Sequence, residues 1–276
     1  MKILCLDIDG TLFNSQKKIS EKTKEALLDF QKKGNRIILA SGRPTQGLMH
    51  IAYALEMEKY HGLLVSYNGS QVYDLTTKEV VFNQAISIED SKKVIHHCKQ
   101  FDQLRIMVDY EDSFYVEDVY DCMIQVDGKP FNIIQYEARE GHMLLKEVWD
   151  LEEFVYFPIN KILTTADPSY LQKYYQEISK PFKENLNSMF TSDFYYEFTA
   201  KNIDKSKALS FIQEKYNLDR NQMIAFGDGQ NDCTMLQYAG IGIAMENADP
   251  SLKEIADFVT KSCDEDGIIY ALENLL

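Results

Sequence analysis

The 276-residue chain is poor in the features that would place it in a membrane, on nucleic acid or in a disulfide framework. No apolar run approaches the roughly 18 residues that a bilayer span requires. Stretches such as Arg36–Ala40 and Gly62–Val65 have the length of strands. The N-terminal MKILCLDIDG puts two carboxylates where a signal peptide needs its apolar region, so it reads as part of the folded protein. Five cysteines, an odd number without a CxxC pair, argue against a disulfide framework or a zinc site and favour reduced thiols in a cytoplasmic protein. Basic residues are in deficit: 29 Lys and Arg face 43 Asp and Glu, a formal charge of −14 with pI near 4.8. Such a surface repels nucleic-acid phosphates and anionic headgroups at long range, so neither is an expected partner. Any phosphate must be held by a local device. There is no HExxH and no GxSxG elbow, and the neighbours His96 and His97 sit about 100° apart around a helix and cannot share an ion.

What is present suffices for a sizeable core: 45% hydrophobic and 12% aromatic residues, in a length that suits one large domain or two small ones. Lys2–Ile8 is a nearly all-apolar strand, as expected of a parallel sheet covered on both faces. From the N-cap Ser20 to Lys33, Ala26, Leu27 and Phe30 recur at helical spacing, and Gly34 ends the helix. Arg36–Ala40 is a second buried strand. A helix over Thr45–Glu56, a strand over Gly62–Ser66 and a hairpin turning at Asn68-Gly69 follow. Near residue 83 the pattern changes. A capping box at Ser87–Asp90 opens a helix to about Phe101, and strands are expected at Arg105–Asp109 and Phe114–Val119. After a less regular stretch rich in turn residues come a strand near Lys161–Thr165, a helix begun by Asp167-Pro168, and short strands at Met189–Thr191 and Tyr195–Thr199. From Lys205 strand and helix alternate again, with helices over Lys205–Tyr216, Asp232–Ala239, Ser251–Ile255 and Asp266–Leu275 and strands over Met223–Phe226, Ile241–Ala244 and Phe258–Thr260. The expected fold is α/β: a doubly wound, Rossmann-like parallel sheet built from both ends of the chain and interrupted by an inserted α+β module.

In open α/β sheets, ligands sit beyond the carboxyl ends of the strands. Four such ends carry polar clusters: Asp7-Ile-Asp9-Gly-Thr11, Ser41-Gly-Arg43-Pro44, Asn68-Gly69 and Gly227-Asp-Gly-Gln-Asn-Asp232. Period-two alternation sends Asp7 and Asp9 to one side and Ile8 to the other. Gly10 lets the backbone pass closely by whatever they hold. Asp7, Asp9, Asp228 and Asp232 in one crevice would repel one another unless a cation neutralised them, and an all-oxygen set without His or Cys points to Mg²⁺ before Ca²⁺ or Zn²⁺. The Thr11 and Ser41 hydroxyls, glycine-flanked N–H groups and Lys205 are donors for a phosphate. Together these make a phosphoryl-transfer site with a carboxylate nucleophile.

Asp7-x-Asp9-Gly10-Thr11-Leu12, Ser41-Gly42-Arg43, Lys205 and Gly227-Asp228-Gly229-x-Asn231-Asp232 resemble, in order and placement, the four motifs of the haloacid dehalogenase superfamily. Ala239–Met245, with Asn247-Ala248, Ala256-Asp257 and Asp266-Gly267, is similar to its Cof-type sugar-phosphatase branch. The resemblance covers residues 1–82 and 195–276, the expected core domain, and makes 83–194 an α/β cap. Asp7 to Ser41 leaves room for one helix only, whereas Ser41 to Lys205 spans 164 residues, so the cap follows the third strand. The resemblance implies a Mg²⁺-dependent phosphatase for a small phosphorylated metabolite, with the cap closing over the site and reading the leaving group. Asp7 would attack phosphorus and form an aspartyl-phosphate, while Asp9 would protonate the leaving alkoxide and then deprotonate water. Mg²⁺ would be held by Asp7, Asp228 and the main-chain carbonyl of Asp9. Lys205, Ser41, Gly42, Thr11 and Asn231 would face the phosphate, and Asp232 would position the metal and Lys205 from behind. Ser206 stands where the family has glycine after its lysine, which keeps Lys207 and Lys201 open as the phosphate-facing amine. Asn202 stands where glycine is common, and asparagine tolerates the same left-handed geometry.

Simpler roles stand beside some of these residues. Ser41 suits a helix cap before Pro44, Arg43 a pin for a loop carboxylate, and Asn68-Gly69 a hairpin turn before any contact with substrate. A phosphohexomutase is the alternative enzyme, but it needs basic cap residues for a second phosphate, and the cap has no clear Arg/Lys cluster. A non-catalytic phosphometabolite-binding regulator would have lost Asp7, Asp9 or Asp228, and all three are present. Between Ile106 and Gly128 stand seven acids and no Lys or Arg. They form either a solvated face or a field that disfavours polyanionic leaving groups.

Overall fold

The computed structural model describes residues 1–126 and 128–274. Asp127, one of the seven acids above, and Leu275, the expected end of the last helix, lie outside them. The chain forms two compact units, Met1–Asn83 with Asp204–Leu276, and Gln84–Ile203.

The first unit opens with β1 (Ile3–Leu6), α1 (Glu21–Lys32), β2 (Arg36–Ala40), α2 (Thr45–Ala54) and β3 (Leu63–Ser66), then turns back through β4 (Gln71–Asp74) and β5 (Glu79–Asn83). The second unit contributes α3 (Ile88–Cys98), β6 (Arg105–Tyr110), β7 (Ser113–Val116), β8 (Met123–Val126), β9 (Lys129–Asn132) and α4 (Ile133–Glu140). It continues through β10 (Leu144–Glu147), α5 (Leu151–Phe154), β11 (Lys161–Thr165), α6 (Pro168–Ser179), β12 (Leu186–Ser192) and β13 (Tyr195–Ala200). The first unit resumes with α7 (Lys205–Lys215), β14 (Met223–Gly227), α8 (Cys233–Tyr238), β15 (Ile241–Ala244), α9 (Pro250–Ile255), β16 (Phe258–Val259) and α10 (Gly267–Asn274).

Its strands form one eight-stranded sheet in the order β16-β15-β14-β1-β2-β3-β4-β5, parallel from β16 to β3. Every residue of β1, β3 and β14 is buried, as predominantly apolar strands covered on both faces should be. Leu27 and Phe30 of α1, Leu48 and Ile51 of α2, Leu209 and Ile212 of α7 and Leu252 of α9 join them in one core. α1 starts where the Ser20 side chain accepts a bond from the Thr23 N–H.

The second unit is a six-stranded sheet, β10-β7-β6-β11-β13-β12, antiparallel except between β10 and β7. Neighbours along β11 feed opposite faces: Ile162 belongs to one apolar cluster and Leu163 to another. The stretch expected to be irregular holds the β8–β9 hairpin, α4 and β10. Cys122, Ile124, Ile133, Ile134 and Ala138 bury there in a common cluster. Each piece is too short to show a period in the sequence. The strand expected at Tyr195 pairs with β11, Lys161 opposite Thr199, so residues 195–203 go with the second sheet and the first unit resumes at Asp204. Among the described residues no helix is long and apolar enough to cross a membrane.

Candidate active site

The strand order of the first sheet reverses between β1 and β14, the place where such sheets leave a crevice at their carboxyl ends. Asp7 follows β1, Ser41 follows β2, Tyr67-Asn68 follows β3 and Asp228 follows β14. Because these strands are parallel, residues far apart in sequence share one rim.

Lys205, the first residue of α7, is wholly buried. The Asp204 side chain caps this helix by accepting from the Lys207 N–H at 2.9 Å. Lys205 Nζ donates to Asp7 Oδ1 and to Asp232 Oδ1, each at 2.6 Å. The other Asp232 oxygen accepts from the backbone N–H groups of Asp228 and Gly229, each at 3.0 Å. Asp232 thus ties the turn after β14 to the lysine. Lys207 is exposed, and Lys201 donates to the Lys183 carbonyl in the second unit, so Lys205 is the amine placed at the carboxylates. Asn202 adopts the left-handed conformation, φ 57°.

Asp7, Asp228 and Asp232 place one carboxylate oxygen each within 4.8 Å of one another. Three carboxylates against one ammonium leave two negative charges uncompensated. Burial, followed by repulsion from Asp232 and then partly offset by Lys205, raises the pKa of Asp7 well above the usual carboxylate range. Burial, then Asp232, pushes Asp228 up to about 7. At Lys205 burial works to lower the pKa, and the Asp232 and Asp7 carboxylates outweigh it and raise it. A buried all-oxygen set with surplus negative charge fits a hard divalent cation. Gly10 is required here: its φ is +80°, and a Cβ would lie 2.2 Å from Asp228 Oδ2.

Several expected phosphate donors and the second motif-one carboxylate are engaged otherwise. Thr11 Oγ1 donates to Asp228 Oδ1 at 3.1 Å. Asp9 lies outside the carboxylate cluster, with its side chain 49% exposed. Arg43 grips it with two parallel bonds, Nε to Oδ2 at 2.8 Å and Nη2 to Oδ1 at 2.7 Å. The pin foreseen for Arg43 is therefore on Asp9. Ser41 is buried and its Oγ accepts from the Arg43 N–H at 3.2 Å, so it caps this turn; α2 itself starts at Thr45, behind Pro44 and without a side-chain cap. Asn231 Nδ2 donates to Asn68 Oδ1 at 3.1 Å, and Gly42 lies against the same Asn68 amide. Sequence reasoning passed over this role of Asn68, because Asn-Gly is a turn signal. Asn247 was likewise assigned no part: it bonds the Gly10 carbonyl through Nδ2 at 2.8 Å and receives the Cys263 N–H at 2.9 Å.

Residues 4–272 match the haloacid dehalogenase-like hydrolase family. The chain belongs to this family. As a haloacid dehalogenase-like hydrolase it is 31% identical to one from Bacteroides thetaiotaomicron, which superposes with a TM-score of 0.91 over 100% of this chain and 99% of that one. The sugar phosphatase BT4131 of subclass IIB is 25% identical, with a TM-score of 0.80 over 100% of this chain and 99% of its own, in keeping with the Cof-type branch. The 5-amino-6-(5-phospho-D-ribitylamino)uracil phosphatase YcsE of Bacillus subtilis is 26% identical over 278 residues, 99% of this chain and 95% of its own. A separate cavity of about 440 Å³ in the second unit holds none of the expected site residues. Its Lys99 and Arg105 are paired with Glu117 and Asp121.

Proposed function

We propose that this hydrolase is a Mg²⁺-dependent phosphatase for small phosphorylated metabolites, sugar phosphates or similar phosphomonoesters, working through an aspartyl-phosphate on Asp7. The observation that carries this reading is the buried Asp7 carboxylate, bonded to Lys205 and sharing with Asp228 and Asp232 more negative charge than one ammonium offsets. Asp7, Asp228 and the main-chain carbonyl of Asp9 would hold the ion. When bound, Mg²⁺ supplies the positive charge that offsets repulsion between carboxylate and phosphate.

The chain's own residues divide the remaining work. Asp7 attacks phosphorus, a P–O bond forms to its carboxylate, and the bond to the leaving alkoxide breaks as Asp9 donates a proton to that oxygen. Asp9 then takes a proton from water, whose oxygen displaces Asp7, releasing inorganic phosphate and restoring the carboxylate. Both Asp9 oxygens accept from Arg43, so one of these bonds opens for Asp9 to carry the proton, while the other keeps the carboxylate oriented. Lys205 and the Ser41 and Asn231 side chains orient and neutralise phosphoryl oxygens. We assign Gln84–Ile203 the part of the cap and the first unit that of the catalytic core.

The test is phosphate release from sugar phosphates, pyridoxal phosphate, flavin mononucleotide and nucleotides, with and without Mg²⁺. Release is expected to need Mg²⁺ but no bisphosphate activator, and Asp7→Asn to lower turnover by roughly 10⁴-fold or more. Full turnover by that variant, or by protein stripped with chelator, would show that Asp7 is not the nucleophile or that no metal is used. A need for a bisphosphate would favour the mutase.

A further inference from the structure

Asn68 is 4% exposed and left-handed, with φ 55°, following Tyr67 at φ 52°. Its backbone N–H donates to the Ser41 carbonyl at 3.0 Å, and its Oδ1 receives the Asn231 amide at 3.1 Å. In that bond Asn231 Nδ2 is the donor and Asn68 Oδ1 the acceptor. The other end of the Asn68 amide, Nδ2, is buried and has no hydrogen-bond partner. It lies beside the turn after β2, where a Cβ on Gly42 would come within 3.1 Å of it.

A four-residue hairpin connection does not call for this arrangement. Glycine adopts positive φ at lower cost than asparagine, and a turn residue normally directs its side chain to water. Here the amide is turned inward, and a buried donor left unpaired is costly to the fold. Gly42 and Asn231 adjoin it, and the Ser41 carbonyl holds its backbone N–H, all three being residues expected to face a phosphoryl group. An acceptor arriving with the ligand resolves the cost.

We infer that Asn68 is a ligand-binding residue of this site, donating from Nδ2 to a non-bridging oxygen of the phosphoryl group while its Oδ1 holds Asn231 in place. The inference rests on the phosphoryl-transfer reading of the site and adds a fourth strand end, that of β3, to the three that carry the family motifs.

Two variants separate binding from folding. Asn68→Gly keeps the positive-φ backbone and removes the amide. Asn68→Asp keeps size and the acceptor for Asn231 but replaces the donor with an acceptor. The probe is inorganic phosphate, titrated calorimetrically into the full chain in Mg²⁺, alongside KM and kcat for the best monoester. Both variants are expected to weaken phosphate binding roughly tenfold or more and to raise KM in step, with thermal midpoints close to that of the parent. Unchanged phosphate affinity in both variants would overturn the inference, whatever their stability. If the parent binds phosphate with the expected dependence on Asn68 but hydrolyses no monoester, the inference stands and the phosphatase reading falls. If the parent hydrolyses monoesters and the variants bind phosphate as it does, Asn68 alone is dismissed.

Discussion

Asp228 sits between opposing demands. Thr11 and Lys205 favour its charged form, but burial and the neighbouring Asp232 outweigh them and raise its pKa to about 7, from an unfolded value near 3.8. A carboxyl with a raised folded pKa adds stability that is complete below the unfolded pKa and is lost as pH climbs through the folded one. Asp7 shifts in the same direction. The metal-free protein should therefore lose a stabilising contribution from this site between about pH 4 and pH 7. A bound divalent ion would reverse that trend by favouring the ionised carboxylates. Thermal unfolding with Mg²⁺ and with chelator should show a Mg²⁺-induced rise that grows from pH 5.5 to pH 8. An equal rise at both values would remove the cluster from metal binding. At this scale the motif pattern singled out Asp7, Asp228 and Lys205, which the fold brings together, and Asp9, which lies outside the carboxylate cluster; residue type at a strand end or helix start sufficed to suspect them. It did not expose which atom each hydroxyl or carboxylate engages. Thr11 bonds Asp228, Lys205 bonds Asp232 and Asp9 is clasped by Arg43, through contacts between segments remote in sequence.

Elements of the first unit were legible even where short, and the short pieces in the irregular stretch of the second unit were not. The buried strands of the first unit and the capped helices α1, α3 and α7 lie within a few residues of expectation. The β8–β9 hairpin, α4 and β10 went unseen because pieces of four to eight residues hold too few apolar positions to define a period. Nor does a pattern show that two charges will meet inside a sheet. Lys161 on β11 bonds Glu197 on β13 at 2.9 Å, with their side chains only 6% and 5% exposed. Removing Glu197 takes from Lys161 the carboxylate bonded to it and leaves Glu137 and Asp109 to offset a buried ammonium. Glu197→Ala should cost about 3 kcal/mol by urea unfolding, whereas an apolar pair of similar volume at both positions should cost far less. Equal losses in the two variants would mean that Glu197 packs there without compensating the lysine.

For the molecule as a whole the formal charge of −14 sets the partners that come near. Among the described acids between Ile106 and Gly128, Asp121 is matched by Arg105, Glu117 by Lys99 and, more distantly, Asp112 by Lys146 at 3.9 Å, all cations outside that stretch. The local field is weaker than the bare count implies, yet the net charge remains. Nucleoside triphosphates should be hydrolysed with lower kcat/KM than sugar monophosphates, and the gap should narrow near 1 M salt, where the Debye length is about 3 Å. Higher activity on triphosphates at low salt would reject this electrostatic selection.

The α/β class, the polar clusters at the strand ends and the family follow from local pattern and motif spacing, since strand burial and turn chemistry are written in neighbouring residues; the second unit begins after β5, beyond the third strand where the insertion was expected. The folded chain settles the rest. Whether Tyr195–Ala200 joins one sheet or the other, that Arg43 holds Asp9, that Lys205 rather than Lys207 meets Asp7, and that Asn68 turns its amide inward all depend on which distant backbones become neighbours. Hydrogen bonds and ion pairs are decided within a few ångströms, and sequence separation carries no such distance.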